Sequence, residues 1–176
     1  MPNSPELIAW SRTFMCGIKT IDDQHKGLVD LVNDMFNHVT GDDDEERQYL
    51  NKIIEETVNY IKVHFSTEEK IMNATKFPGY IEHKEEHKKF IITVAKHIEY
   101  FNSGKRVSLM SLSRFLKEWI LSHIAVVDKQ YFVYFRTIAT RKADGGLIIN
   151  SADGKIEIDA QSADEELYSS AKTGGI

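Results

Sequence analysis

Seven polar residues stand where a packed interior would ordinarily reject them: His25, His64, Glu68, His83, His87, His123 and Asp128. His64 and Glu68 form an H-x-x-x-E pair, and His83 and His87 an H-x-x-x-H pair. Residues four apart in a helix lie on one face about one turn apart, so each pair can aim two ligand atoms at one point. Two such pairs on facing helices make a metal cage. A single buried histidine more often finds a backbone carbonyl. Here, however, five of the seven histidines fall on the inward stripes of four segments. Leaving so many imidazoles and carboxylates unpaired in a core would cost several kcal/mol each, so a cation is expected to compensate them.

Asp128 fits least easily, because five residues after His123 an ideal helix has rotated by about 140°. A π-type distortion brings positions i and i+5 onto one face, and one is expected near Ile124 to Val127. The alternative for Asp128 is an ordinary ion pair with Lys129 or Arg136. His38 and His97 lie at helix flanks beside Asn and Lys, without a ligand-type partner four residues away. Both read as surface residues.

Four amphipathic helices must position this set. From about Thr20 to Val39, Ile21, His25, Leu28, Val32, Met35 and Val39 recur at helical spacing, with Asp22 or Thr20 as the expected cap. After the acidic loop at Gly41, a second stripe begins near Asp44 and runs Leu50, Ile53, Ile54, Thr57, Ile61, His64, Phe65, Glu68, Ile71 and Met72, about 45 Å of helix. Pro78 and Gly79 mark a turn. Tyr80, His83, His87, Phe90, Ile91, Val94, Ile98 and Phe101 form the third stripe, and Leu109 through Phe135 the fourth, ending near Ile138. Long helices with short connections imply an all-α, up-down-up-down bundle. The expected organisation is an arm over 1–19, the bundle over 20–139 and a C-terminal extension over 140–176. In that extension Ser151 to Gly154 suit a hairpin turn between two β-prone pieces, and the last fifteen residues look mobile.

Composition narrows the function. The chain has 176 residues, 41% hydrophobic content and net charge −5, enough for one sizeable core. No basic face points to nucleic acid or a membrane surface. The first fifteen residues lack the features of a signal peptide, and one cysteine, Cys16, cannot form an internal disulfide. A soluble, cytoplasmic protein is expected, with Cys16 a small buried hydrophobe.

From Trp10 to Phe135 the sequence resembles the hemerythrins, and the single-domain bacterial members most closely. The likeness rests on Gly17, Ile18, Ile21, Asp22, Gln24, His25 and Lys26; on His64, Phe65, Glu68 and Glu69; on His83 with His87; and on Trp119, His123, Ile124 and Asp128. The resemblance implies two iron ions joined by an oxo or hydroxo bridge. His83, His87 and His123 would hold one iron and His25 and His64 the other, with Glu68 and Asp128 bridging. With that division the donors fill about 11 of the 12 positions around two six-coordinate ions. The open position would lie on the iron of His25 and His64 and take molecular oxygen, in a dry pocket of Leu28, Phe65, Trp119, Ile120 and Ile124.

Neutral imidazoles dominate this ligand set, whereas oxygen-activating di-iron sites are richer in carboxylates. Reversible oxygen binding, for storage, delivery or scavenging, is therefore the expected function, rather than an enzymatic one. The alternatives are an oxygen, redox or nitric oxide sensor acting through a protein partner, with the C-terminal extension as relay, and then a di-iron peroxidase or oxidase with Tyr131 as a candidate proton donor.

Overall fold

The computed structural model describes residues 5–141, 147–151 and 154–158. A short 3-10 turn, Arg12–Phe14, precedes α1 (Lys19–Asn37), α2 (Asp43–Ala74) and α3 (Tyr80–Asn102). The fourth rod is continuous: α4 (Leu109–Trp119), a π-helical segment (Ile120–Val127) and α5 (Asp128–Ile138). These rods make the four-helix bundle. No helix among the described residues is long and apolar enough to cross a membrane.

Local chemistry sets the helix ends. Asp42 caps α2, its Oδ1 accepting from the amides of Asp44 at 2.9 Å and Glu45 at 3.0 Å. The acidic first turn, Asp43 to Glu46, complements the positive end of the helix dipole. Ser108 caps α4 by accepting from Ser111 N. At α1 the expected cap is corrected: Ile18 holds the cap position without a side-chain bond. Asp22 instead reaches back, accepting from Cys16 N at 2.6 Å and Gly17 N at 3.0 Å. It thereby fixes the loop that enters the helix, in which Gly17 takes a φ of +84°. The arm is fastened upstream as well, where Asn33 and the backbone of Ile8 exchange two hydrogen bonds of 2.9 Å.

The core has two parts. One is a long apolar cluster that includes Leu28, Val32, Leu50, Ile53, Phe65, Phe90, Leu112, Leu116, Ile120 and Ile124. The other gathers Cys16, Ile18, Ile21, Met72, Tyr131, Phe132 and Phe135 at the opposite end. Cys16 is buried there, as its small apolar character suggests. Ile91, assigned to the inward stripe of the third helix, is instead 46% exposed, because the inward arc passes through Phe90 and Val94. His97 is half-buried rather than on the open surface, its ring edge-on to Phe115 at 5.5 Å.

The chain leaves α5 directly into β1 (Ala139–Arg141), which pairs antiparallel with β2 (Leu147–Ser151). β2 pairs in turn with β3 (Gly154–Ile158), and Ser151 faces Gly154 at the closed end of that hairpin. The two β-prone pieces thus form strands, and β1 adds a third that the sequence did not suggest, since it continues a helix without a break. The final fifteen residues lie outside the described part of the chain.

Candidate metal centre

The seven residues converge. All are buried: His25, His64, His87, Glu68 and Asp128 are fully enclosed or nearly so, and His83 and His123 are at most 4% exposed. α1 supplies His25, α2 supplies His64 and Glu68, and α3 supplies His83 and His87. The fourth rod supplies His123 and Asp128. Their arrival at one level follows from the helical spacing of each pair.

Asp128 arrives through the π-helical segment. Its amide donates to His123 O, the i→i+5 bond that defines such a turn, and this rotates Asp128 onto the face of His123. The distortion spans Ile120–Val127, wider than the expected Ile124 to Val127. Asp128 Oδ1 then lies 3.2 Å from His123 Nε2 and 3.4 Å from His83 Nε2, while Oδ2 lies 3.5 Å from His25 Nε2. No ion pair of Asp128 with Lys129 or Arg136 is found; Lys129 donates to Met15 O instead.

Glu68 occupies the complementary place. Its Oε2 is 3.2 Å from His87 Nε2 and 3.6 Å from both His64 and His83, and its Oε1 is 3.9 Å from His25. Ligand atoms therefore fall into two groups within reach of a common ion. One comprises Glu68, His83, His87 and His123, the other His25, His64, Glu68 and Asp128. Each carboxylate touches imidazoles of both.

Three of the five outer nitrogens are anchored. His25 Nδ1 donates to Phe14 O at 2.7 Å, His64 Nδ1 to Gln24 Oε1 at 3.1 Å, and His87 Nδ1 to Glu69 Oε1 at 3.3 Å. These bonds fix the ring orientations and leave Nε2 as the inward lone pair, the arrangement found around metal-bound histidines. Tyr131, buried in the helix core, donates to Glu68 Oε1 at 3.3 Å. Of these supporting groups, Gln24 and Glu69 stand within the sequence motifs, without a role of their own there. Their position one residue from a ligand was the available signal.

Whether these residues fit a cation can be tested on their unsatisfied atoms. His25 Nε2, His64 Nε2, His123 Nε2, Glu68 Oε2 and both oxygens of Asp128 are buried without a hydrogen-bond partner, in a region where native folds leave few such atoms. His83 and His87 point Nε2 at Nε2 across 3.0 Å. Two nitrogens each about 2.1 Å from one ion and at right angles to it would be separated by about 3.0 Å. The donor set therefore fits.

Electrostatics agree. Burial drives His64 down to about 4, against the pull of Glu68, so this imidazole is neutral and ready to donate a lone pair at neutral pH. Burial also opposes charge on His25 and His83, but Asp128 outweighs it at the first and Glu68 at the second, and both are raised. Burial pushes Glu68 and Asp128 up, yet the surrounding imidazoles hold both below their ordinary values.

The residues expected to line a pocket share one apolar environment. Leu28, Phe65, Ile120 and Ile124 are buried and Trp119 is partly so, all in one apolar cluster. Phe65 stacks face to face on His87, with 3.7 Å between ring centroids, and Trp119 stacks on His123 at 4.5 Å. His25 instead meets Phe132 at 6.2 Å.

Comparison with known proteins points one way. Residues 16–135 match the family described as "Hemerythrin HHE cation binding domain". The chain is 30% identical over 127 residues to a bacteriohemerythrin of Methylococcus capsulatus, covering 71% of this chain and 94% of that one. It is 29% identical over 128 residues to a myohemerythrin of Sipunculus nudus, covering 72% and 92%. A solved wild-type hemerythrin superposes with a TM-score of 0.61 at 30% identity, over 71% of this chain and 95% of that chain.

Proposed function

This chain belongs to the hemerythrin family, and from that premise we propose that it binds molecular oxygen reversibly at a non-haem di-iron centre, serving oxygen storage, delivery or scavenging. His83, His87 and His123 would hold one iron and His25 and His64 the other, with Glu68 and Asp128 shared between the two. The observation that carries this reading is the double reach of the carboxylates, each of which contacts imidazoles of both groups. Five imidazoles and two bridging carboxylates suit a pair of iron ions better than one zinc.

When bound, the iron pair with its oxo or hydroxo bridge supplies the electrons that oxygen takes up on binding and returns on release. The protein supplies everything else. Phe14 O, Gln24 and Glu69 hold His25, His64 and His87 with Nε2 inward. Tyr131 orients Glu68 by donating to Oε1. Leu28, Phe65, Trp119, Ile120 and Ile124 form the wall that excludes water, which protects a reversible adduct from irreversible oxidation.

The deciding experiment measures iron content together with the visible spectrum of reduced protein, before air, in air, and after removal of air by an inert gas. About two irons per chain and a band that appears with air and disappears without it support the reading. Two irons that oxidise without a reversible band would favour a sensing or enzymatic role. Absence of paired iron would overturn the centre itself. In the same assay, replacing Ile120 by Thr should admit water and speed autoxidation, and an unchanged rate would show that the wall lies elsewhere.

A further inference from the structure

A metal pair accounts for six of the seven buried side-chain atoms that lack a hydrogen-bond partner among the described residues; the seventh is the hydroxyl of Tyr60. Tyr60 lies one turn before His64 on α2, its ring 5.3 Å from the His64 ring and inclined by only 27°. Tyr60 as a residue is only partly buried, yet its hydroxyl is enclosed. The polar tip therefore points inward. The residue packs against the apolar cluster that contains Leu28, Ile61, Phe65, Ile120 and Ile124. The tyrosine on the other side of the site behaves differently: Tyr131 is also buried, but its hydroxyl is satisfied by Glu68. A hydroxyl held in an apolar wall without a partner is a group waiting for one, because folds seldom retain such an atom unless a ligand, ion or water completes it.

We propose that Tyr60 is the ligand-recognition residue of the site, its phenolic O–H donating a hydrogen bond to a small anion, or to oxygen as it gains negative charge, at the position beside His64. This rests on the di-iron reading, which leaves a position open on the iron of His25 and His64. The chemistry follows from the surroundings. The pocket wall is hydrocarbon, so a bound group that acquires charge has no solvent to stabilise it. The Tyr60 phenol is the one fully buried hydroxyl among the described residues with no hydrogen-bond partner. Hydrogen bonds to charged acceptors are the strong ones, and a dry site strengthens them further. The class of ligand selected is thus small and negatively charged. Inorganic azide is a probe of that class.

The test compares wild type with Tyr60→Phe, which keeps the ring on His64 and removes only the hydroxyl. Three readouts are taken: iron per chain, azide affinity of the oxidised iron-loaded protein, and the thermal midpoint of the metal-free protein. The expected result is full iron content, azide affinity lower by about tenfold, and a metal-free midpoint that does not fall, since the lost hydroxyl had no partner. Unmodified protein gives an independent measure: the infrared stretch of bound azide should shift between H2O and D2O, and the variant should lose that shift. Equal azide affinity and an unshifted stretch, with two irons present in both proteins, would overturn the proposal and leave the di-iron reading intact. Iron loss in Tyr60→Phe would also overturn it, assigning Tyr60 to positioning His64. Failure of wild type to take up paired iron would end both readings.

Discussion

The same four helices enclose two interiors of opposite character. Towards the end of the bundle built from Leu50, Ile53, Val94, Phe101, Leu109 and Leu112, the core is hydrocarbon. The buried hydroxyls of Thr57 and Ser113 in this region donate to Ile53 O and Leu109 O within their own helices. Some four turns along α2, around His64 and Glu68, imidazoles and carboxylates face one another with most inward atoms unsatisfied. The apolar end can be stable on burial alone, at roughly 25 cal/mol per Å² of apolar surface. The polar end would be completed by a cation. One end of the bundle thus supplies fold stability, and the other uses part of it to hold a preorganised ligand set.

If that division is real, damage at the two ends should have different signatures. The largest effect is expected from Glu68→Ala, which removes the carboxylate that reaches both groups. Iron should fall from about two per chain to one or none, while His38→Ala, at the exposed ring stacked on Tyr49, should leave it unchanged. Equal loss in both variants would refute the assignment. Leu50→Ala at the apolar end should do the converse: it should lower unfolding stability by about 2–5 kcal/mol while iron content stays at its normal level. Iron loss there in proportion to stability would mean that the two ends are one cooperative unit.

The contrast also explains what could be read without a structure. Inward stripes and the pairs His64/Glu68 and His83/His87 were legible because helical periodicity alone determines which residues share a face. Asp128 was legible only with a π-helical turn invoked to rotate it. Asp22 was misread as a cap because its type and place suit that role, and only the path of the loop at Gly17 reveals that it reaches backwards. Ile91 was misplaced because a stripe of alternating threes and fours leaves one residue's latitude at its edge. The anchoring of His64 by Gln24 and of His87 by Glu69 depends on side-chain direction between helices, which no spacing encodes. Strand β1 was missed because Ala139 to Arg141 have a partner only once the hairpin has folded beside them.

Anchoring offers a finer test of the metal end. Glu69 is partly exposed and also pairs with Lys84 at 3.0 Å, so Glu69→Ala removes no buried charge and should leave the fold intact. Freeing the His87 ring should nevertheless weaken metal binding by about 10- to 100-fold, measured by competition with a chelator. Unchanged affinity would show that Phe65, stacked on the same ring, suffices to hold it.

The smallest effect should appear in the pH dependence of the metal-free protein. His25 and His83 are held above the ordinary histidine range; burial opposes the charge, but Asp128 and Glu68 outweigh it. A raised folded value contributes stability that is fully present below the unfolded value near 6.5 and is lost as pH rises through the folded value. His64 acts in the opposite sense, but only between its value of about 4 and the unfolded value, and Glu68 and Asp128 remain ionised above that range. Cys16, raised by its burial and then by Asp22, begins to contribute only near the thiol's ordinary value of about 8.5. Between about pH 6.5 and 8, above the range of His64 and below that of Cys16, the raised His25 and His83 begin to lose their contribution. Over that range the thermal midpoint of metal-free protein should decline by a few degrees, while that of iron-loaded protein should stay level, because each Nε2 is then committed to metal rather than to a proton. Parallel curves for the two forms would mean that these imidazoles are not the atoms the metal occupies.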